Sequence, residues 1–134
     1  MLGTAEYSPL FGAFGETRDG YVCVFIPSLT RDGAPIDHEY WRTEAIRVMS
    51  KLFGGATSVN AFGGWLDDEG DGQVKEEPVS LVVSFTCANQ LIKPNMLELK
   101  NFLHRMGCET KQGEVGVLVN GLFLRIRSFD HEQK

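Results

Sequence analysis

Three things are scarce in this 134-residue chain: long apolar runs, cysteine and positive charge. No run approaches the roughly 20 apolar residues needed to span a bilayer, so no membrane partner is expected. Cys23, Cys87 and Cys108 form an odd set without C-x-x-C spacing, which argues against a disulfide framework or a thiolate metal site. Cys23 and Cys87 fall in apolar, strand-like runs, where a free thiol behaves as a small hydrophobe. Lys and Arg number 13 against 18 Asp and Glu, a net charge of −5 that offers no attraction to a phosphate backbone. No nucleic-acid partner is expected, with Arg125 and Arg127 as the local basic strip. The opening MLGTAEYSPLFGAFGE has neither the basic leader nor the apolar core of a signal peptide, so a cytoplasmic location is expected.

Signatures of chemistry are missing too. The glycines of FGGATS and FGGW match neither a P-loop nor a dinucleotide fingerprint, and they follow a predicted helix instead of opening one. No serine sits in an elbow motif. His38, His104 and His131 are too scattered to form a metal set, and His104 reads as a surface or interface residue. No cofactor is expected.

What is present is a patterned core of ordinary size: 43% hydrophobic and 23% charged residues suit one globular domain. The chain is organised around Phe53–Phe85, in which a helix ends, an extended segment runs to an acidic turn, and an apolar strand leaves from Val79. Residues 1–19, with Leu2, Tyr7, Leu10, Phe11 and Phe14 among glycines, read as an arm or short edge strand lying on the domain. Tyr21–Pro27 (YVCVFIP) reads as a central strand covered on both faces, closed by a proline that cannot donate to a ladder. Asp37 is a natural N-cap for a first helix, with Trp41, Ala45, Val48 and Leu52 on one stripe, Met49 and Phe53 beside it, and Gly54 as left-handed cap.

Val79, Leu81, Val83 and Phe85 alternate with Ser80, Val82, Ser84 and Thr86 at the period of a strand. A second helix is predicted to start at an Asn95 cap, bury Leu99, Phe102, Leu103 and Met106, and stop at Gly107. Asn120-Gly121 between two apolar runs predicts a hairpin. Its second strand, Leu122–Ile126, is expected at the sheet edge, with Leu122, Leu124 and Ile126 inward and Arg125 and Arg127 guarding the outer face.

The order βαββαβ plus one strand predicts an α+β, ferredoxin-like sandwich. It has an antiparallel sheet, two helices on one face and an extra C-terminal edge strand. Residues 20–129 would form this single domain, with 1–19 as the arm and 130–134 as a frayed tail.

The motifs FGGAT, FGGW with LDDEGDG, EEPV and FLHRMG–CETKQGEVGVLV resemble a group of small bacterial and phage-borne proteins. The shared layout is Gly-Ala-Thr, Gly-x-Trp, an acidic turn, and glutamate before an apolar strand. The resemblance spans about residues 20–120 and rests on Gly55, Ala56, Thr57, Gly64, Trp65, Glu77 and Pro78. It implies a ferredoxin-like fold and carries no established activity, so no catalytic role passes to this chain.

Candidate site residues come from four features. Tyr21, Cys23 and Phe25 alternate with Val22, Val24 and Ile26, so the strand is apolar on both sides, and the face that two helices leave bare needs a cover. The arm or a second subunit would supply it. Asp67, Glu69, Asp71 and Gly72 sit at the first, third, fifth and sixth places of an EF-hand count. The twelfth place is Pro78, and no flanking helices are predicted, so the turn reads as a solvated hairpin tip. Glu77 and Trp65 lie across that hairpin; a carboxylate beside an indole could serve as acid–base, whereas the plainer reading ties Glu77 to backbone amides. Arg125 and Arg127 could pair with the Asp67–Asp71 turn of a second copy.

The sequence therefore favours a non-catalytic binding or interaction protein acting as a homodimer, with a protein or small ligand as partner. A small enzyme with a Glu77/Trp65 pocket comes next. A third reading is a phage or defence-system protein that blocks its target through the acidic edge at Asp67–Asp71.

Overall fold

A computed structural model describes residues 1–129; the tail expected to fray, 130–134, lies outside the described residues. The elements run α1 (Thr4–Phe11), β1 (Gly20–Ile26), α2 (His38–Phe53), β2 (Thr57–Leu66), β3 (Val74–Thr86), α3 (Lys93–Glu109), β4 (Val115–Val119) and β5 (Leu122–Ile126). One antiparallel sheet has the order β2-β3-β1-β4-β5. With α2 and α3 packed on one face, this is the α+β, ferredoxin-like sandwich that the element order predicts, and β5 is its edge.

The core forms where helical and strand periodicities meet. Trp41, Ala45, Met49 and Phe53 recur every four residues on α2 and are buried against Val22, Val24 and Ile26 of β1. Asp37 accepts a hydrogen bond from the Tyr40 amide at 3.1 Å as N-cap, and Gly54 ends the helix at φ 99°. Leu99, Phe102, Leu103 and Met106 supply the α3 side. Between the helices, the Arg105 guanidinium stacks 4.7 Å above Trp41 and donates to Glu44 at 3.0 Å.

Helix α3 departs from expectation at both ends. It starts at Lys93, because Pro94 belongs in a first turn that has no use for its missing N–H. Asn95 instead donates its side-chain amide to the Gln90 carbonyl at 2.8 Å. Nor does Gly107 stop the helix, which continues to Glu109. The missing side chain admits Phe129, whose ring fills the space a Cβ would need. His104 is buried, not a surface residue, its ring edge-on to Phe129 at 5.9 Å between centroids.

Strand β3 turns its semi-polar side inward. Ser80, Val82, Ser84 and Thr86 are buried under the helices, while Val79, Leu81, Val83 and Phe85 lie on the opposite, open face. The strand also begins five residues before Val79, so β2 and β3 run past the end of β1 as a two-stranded ribbon. Strand β5 lies at the edge with Arg125 and Phe123 on the open side, but Leu122 and Leu124 are exposed, not buried. The tight Asn120-Gly121 turn, with φ of 49° and 86°, fixes its register. Among the described residues no helix is long and apolar enough to cross a membrane.

The N-terminal segment is the largest departure. Residues Thr4–Phe11 form a short helix, not a strand, and Phe11 and Phe14 are 78% and 96% exposed. The arm does not cover the sheet. It is held at its root, where Arg18 donates to the carbonyls of Phe53 and Phe85 (2.9 Å to the latter) and Glu16 accepts from the Asn89 amide at 3.3 Å.

Candidate functional site

Directly paired residues of antiparallel strands share a face, so the register defines the open side of the sheet. Tyr21 pairs with Phe85, Cys23 with Val83 and Phe25 with Leu81; Cys23 also pairs with Leu118, and Leu118 with Phe123. Across β2 the same face continues through Thr57 and Val59. The structure thus brings the candidate residues Tyr21 and Phe25 together on one apolar surface. Phe25 and Phe123 meet edge to face, centroids 5.9 Å apart, and the Phe123 ring lies over Gly116, 2.7 Å from an absent Cβ. Neither α2 nor α3 reaches this side, and Phe85 is 62% exposed.

Glu77 sits where β3 overruns β1. Its carboxylate turns back over the end of β1, and one oxygen accepts from the amides of Ser28 (2.7 Å) and Leu29 (3.0 Å) and from the Ser28 hydroxyl (3.2 Å). These amides leave the sheet with no ladder partner of their own, so a carboxylate acceptor satisfies them in a largely dry place. Glu77 is 8% exposed. Its partners are backbone amides, the plainer of the two expectations. Trp65 pairs with Lys75, two residues from Glu77 along β3, and stands half-exposed on the ribbon.

The acidic turn is engaged within its own chain. Glu69 pairs with Arg31 of the β1–α2 loop at 3.2 Å. Asp71 pairs with Lys75 at 2.8 Å and caps the Gln73 amide at 3.0 Å; these bonds, the Lys75 one foremost, hold its carboxyl below the usual range. Arg125 and Arg127 both grip Glu114, at 3.0 Å each, and that pairing, Arg125 first, lowers the Glu114 pKa. Glu114 in turn raises the Arg125 pKa, with Asp68 a lesser contributor. Glu69 and Asp71 of the acidic turn, and Arg125 and Arg127 of the basic strip, thus each have a partner inside their own copy.

Two anchoring residues were not legible as such. His38 bridges three elements: Nδ1 lies 2.8 Å from the Pro27 carbonyl and Nε2 2.8 Å from the Ser80 hydroxyl. A carbonyl only accepts, so Nδ1 carries the proton and Nε2 accepts from Ser80. This serine–histidine pair resembles a nucleophile and its base, but Ser80 is fully buried and no substrate could reach it. Arg18 is the other, an arginine in a glycine-rich lead-in. A cation just before a central strand was the available signal. Beside it a shallow cleft lined by Phe14, Glu16, Arg18, Cys87 and Asn89 holds a half-buried thiol, whose pKa is raised by burial and then by Glu16.

No protein-family model and no curated protein matches the sequence. Among solved structures, the chain is similar to a phage SAM lyase in complex with S-methyl-5'-thioadenosine. The TM-score is 0.61 at 14% identity, over 86% of this chain and 95% of that one. The apo state of a phage SAM lyase gives 0.56 at 16% identity, over 87% and 97%. A CutA of Pyrococcus horikoshii gives 0.45 at 13%, over 81% and 83%. At these identities the likeness is one of fold, and fold alone does not carry a reaction.

Proposed function

We propose that the chain is a binding protein working in the cytoplasm as a homo-oligomer, whose copies meet on the open sheet face. The observation that carries this is the continuity of Tyr21, Phe25, Leu81, Val83, Phe85 and Phe123 on a face that α2 and α3 leave bare. Contiguous apolar patches beyond a few hundred Å² are rare on monomers and mark association sites. The three free thiols suit a reducing compartment. Light scattering across the micromolar range tests the reading: a mass of two chains or more supports it, and Phe85→Asp should return a folded monomer. A wild-type monomer throughout would end it.

A second reading is favoured by the likeness in fold to a phage SAM lyase, which spans 95% of that chain. In it the protein is a small enzyme that breaks the bond between the sulfonium sulfur and the amino-acid chain of its substrate: the electron pair leaves with sulfur as S-methyl-5'-thioadenosine, and the carbon left behind closes on the substrate's own carboxylate. Trp65 would be the stacking wall, while Glu77, occupied by Ser28 and Leu29, would shape the ribbon and not exchange protons. Incubation with S-adenosylmethionine and chromatography of the products decides it. S-methyl-5'-thioadenosine formation that Trp65→Ala abolishes would support this reading, and no turnover by oligomeric protein would dismiss it.

A further inference from the structure

The two bare surfaces of this chain match each other. The N-terminal segment carries Tyr7, Leu10 and Phe11 at i, i+3 and i+4 of α1, and Phe14 follows two residues beyond the left-handed cap at Gly12. All four are exposed, and none belongs to the hydrophobic core or packs against it. The segment is rooted at Arg18, which holds the Phe85 carbonyl, so the arm leaves the domain at the rim of the open face, beside that face's most exposed aromatic. Between the helix cap at Gly12 and the Arg18 anchor lie five residues, a reach of about 17 Å when extended. No Lys or Arg occurs before Arg18, which removes the electrostatic attraction a membrane-surface helix would use.

We infer that the cover of the open face is the N-terminal arm of a second copy, exchanged reciprocally. Residues 1–14 of each copy seat Leu10, Phe11 and Phe14 on the partner's Tyr21–Phe85–Phe123 surface. The inference rests on the homo-oligomer reading above and names the element that makes it. Each buried aromatic removes about 150–250 Å² from water, so two arms and the faces they cover reach the roughly 1,200–2,000 Å² of a stable interface. Two arms joined to two domains through short tethers also give a closed pair, with the same contact made twice.

Two variants of the full chain test this. Phe11→Ser/Phe14→Ser alters only side chains that are bare in the single copy, so its fold and circular dichroism should match wild type while its dissociation constant rises at least ~100-fold, as hot-spot aromatics lost from both arms would require. Leu10→Cys/Phe85→Cys, oxidised under mild conditions, should give a disulfide-linked pair on a non-reducing gel. A wild-type oligomer that survives the double serine change overturns the arm exchange and leaves direct face-to-face pairing. A disulfide between the two introduced thiols that closes within one chain also overturns it, because the arm then covers its own sheet. A wild-type monomer removes both this inference and the reading beneath it.

Discussion

Replacing Glu77 separates a structural carboxylate from a chemical one. Its oxygen accepts three hydrogen bonds at the point where β1 ends, at 2.7, 3.0 and 3.2 Å. A bond to a charged acceptor contributes about 1.5–3 kcal/mol and a neutral one about 0.5–1.5. Glu77→Gln keeps an acceptor of the same shape but loses the charge, so the cost should be about 1–2 kcal/mol. Glu77→Ala leaves the Ser28 and Leu29 amides unsatisfied at about 1–3 kcal/mol each, for a loss of about 3–4 kcal/mol. For a domain of this length that is a fall in melting temperature of roughly 10–15 °C. Urea titrations of the three proteins at neutral pH, with midpoint and slope fitted together, measure the order wild type, Gln, Ala. A Glu77→Gln protein as stable as wild type, yet devoid of every binding or catalytic activity the wild type shows, would refute the reasoning. Glu77 would then belong to a site.

Three further outcomes follow from the same geometry. Gly107→Ala should gain about 1 kcal/mol from helix propensity but lose more by expelling the Phe129 ring, for a net loss of about 1 kcal/mol. In a Phe129→Ala background the same change should stabilise, and a double-mutant cycle reads the reversal. Glu44 is held low by Arg47 first and then Arg105, and Glu114 by Arg125 and then Arg127. Both folded pKa values lie below their unfolded ones, so their contribution is complete above the ordinary carboxylate range. It is lost as pH falls through the folded values. Urea midpoints from about pH 7 to about pH 3 should therefore fall less steeply in Glu44→Gln/Glu114→Gln than in wild type. Thr86 Oγ1 is, among the described residues, the one fully buried side-chain oxygen without a partner, and Thr86→Val should raise stability by about 1 kcal/mol by thermal melting.

Much of the fold was legible because its signals are local. Asp37, Gly54 and Asn120-Gly121 declare helix ends and a hairpin through their own backbone preferences, and the α2 stripe declares its face by spacing. What failed depends on partners distant in sequence. Gly107 looked like a terminator because nothing nearby shows that Phe129 needs its space. His104 looked exposed for the same reason, its neighbour lying 25 residues on. Leu122 and Leu124 looked buried because alternation reports which way a side chain points, not whether a helix extends far enough to cover it. Of the candidate site, alternation alone put Tyr21 and Phe25 on one face of their strand, the face that the register leaves open. Of the acidic turn the sequence shows the charges but not their partners, because Arg31, which pairs with Glu69, lies 38 residues earlier in the chain.

The inward serines and threonine of β3 have a consequence for how the strand finds its alignment. Ranked by apolarity alone, Val79, Leu81, Val83 and Phe85 are the better set to place beneath α2. A slip of one residue would bring them there and turn the hydroxyls out. Burial alone would therefore favour the inverted strand. The native alignment is marked by polar contacts: Ser80 on the His38 imidazole at 2.8 Å and Ser84 on the Gly55 carbonyl at 2.6 Å. These two short bonds are made in one register and lost in the neighbouring one. In this sheet the hydroxyl groups act as the address and the apolar residues as the adhesive, so correct alignment leaves the stickier side of β3 on the open face.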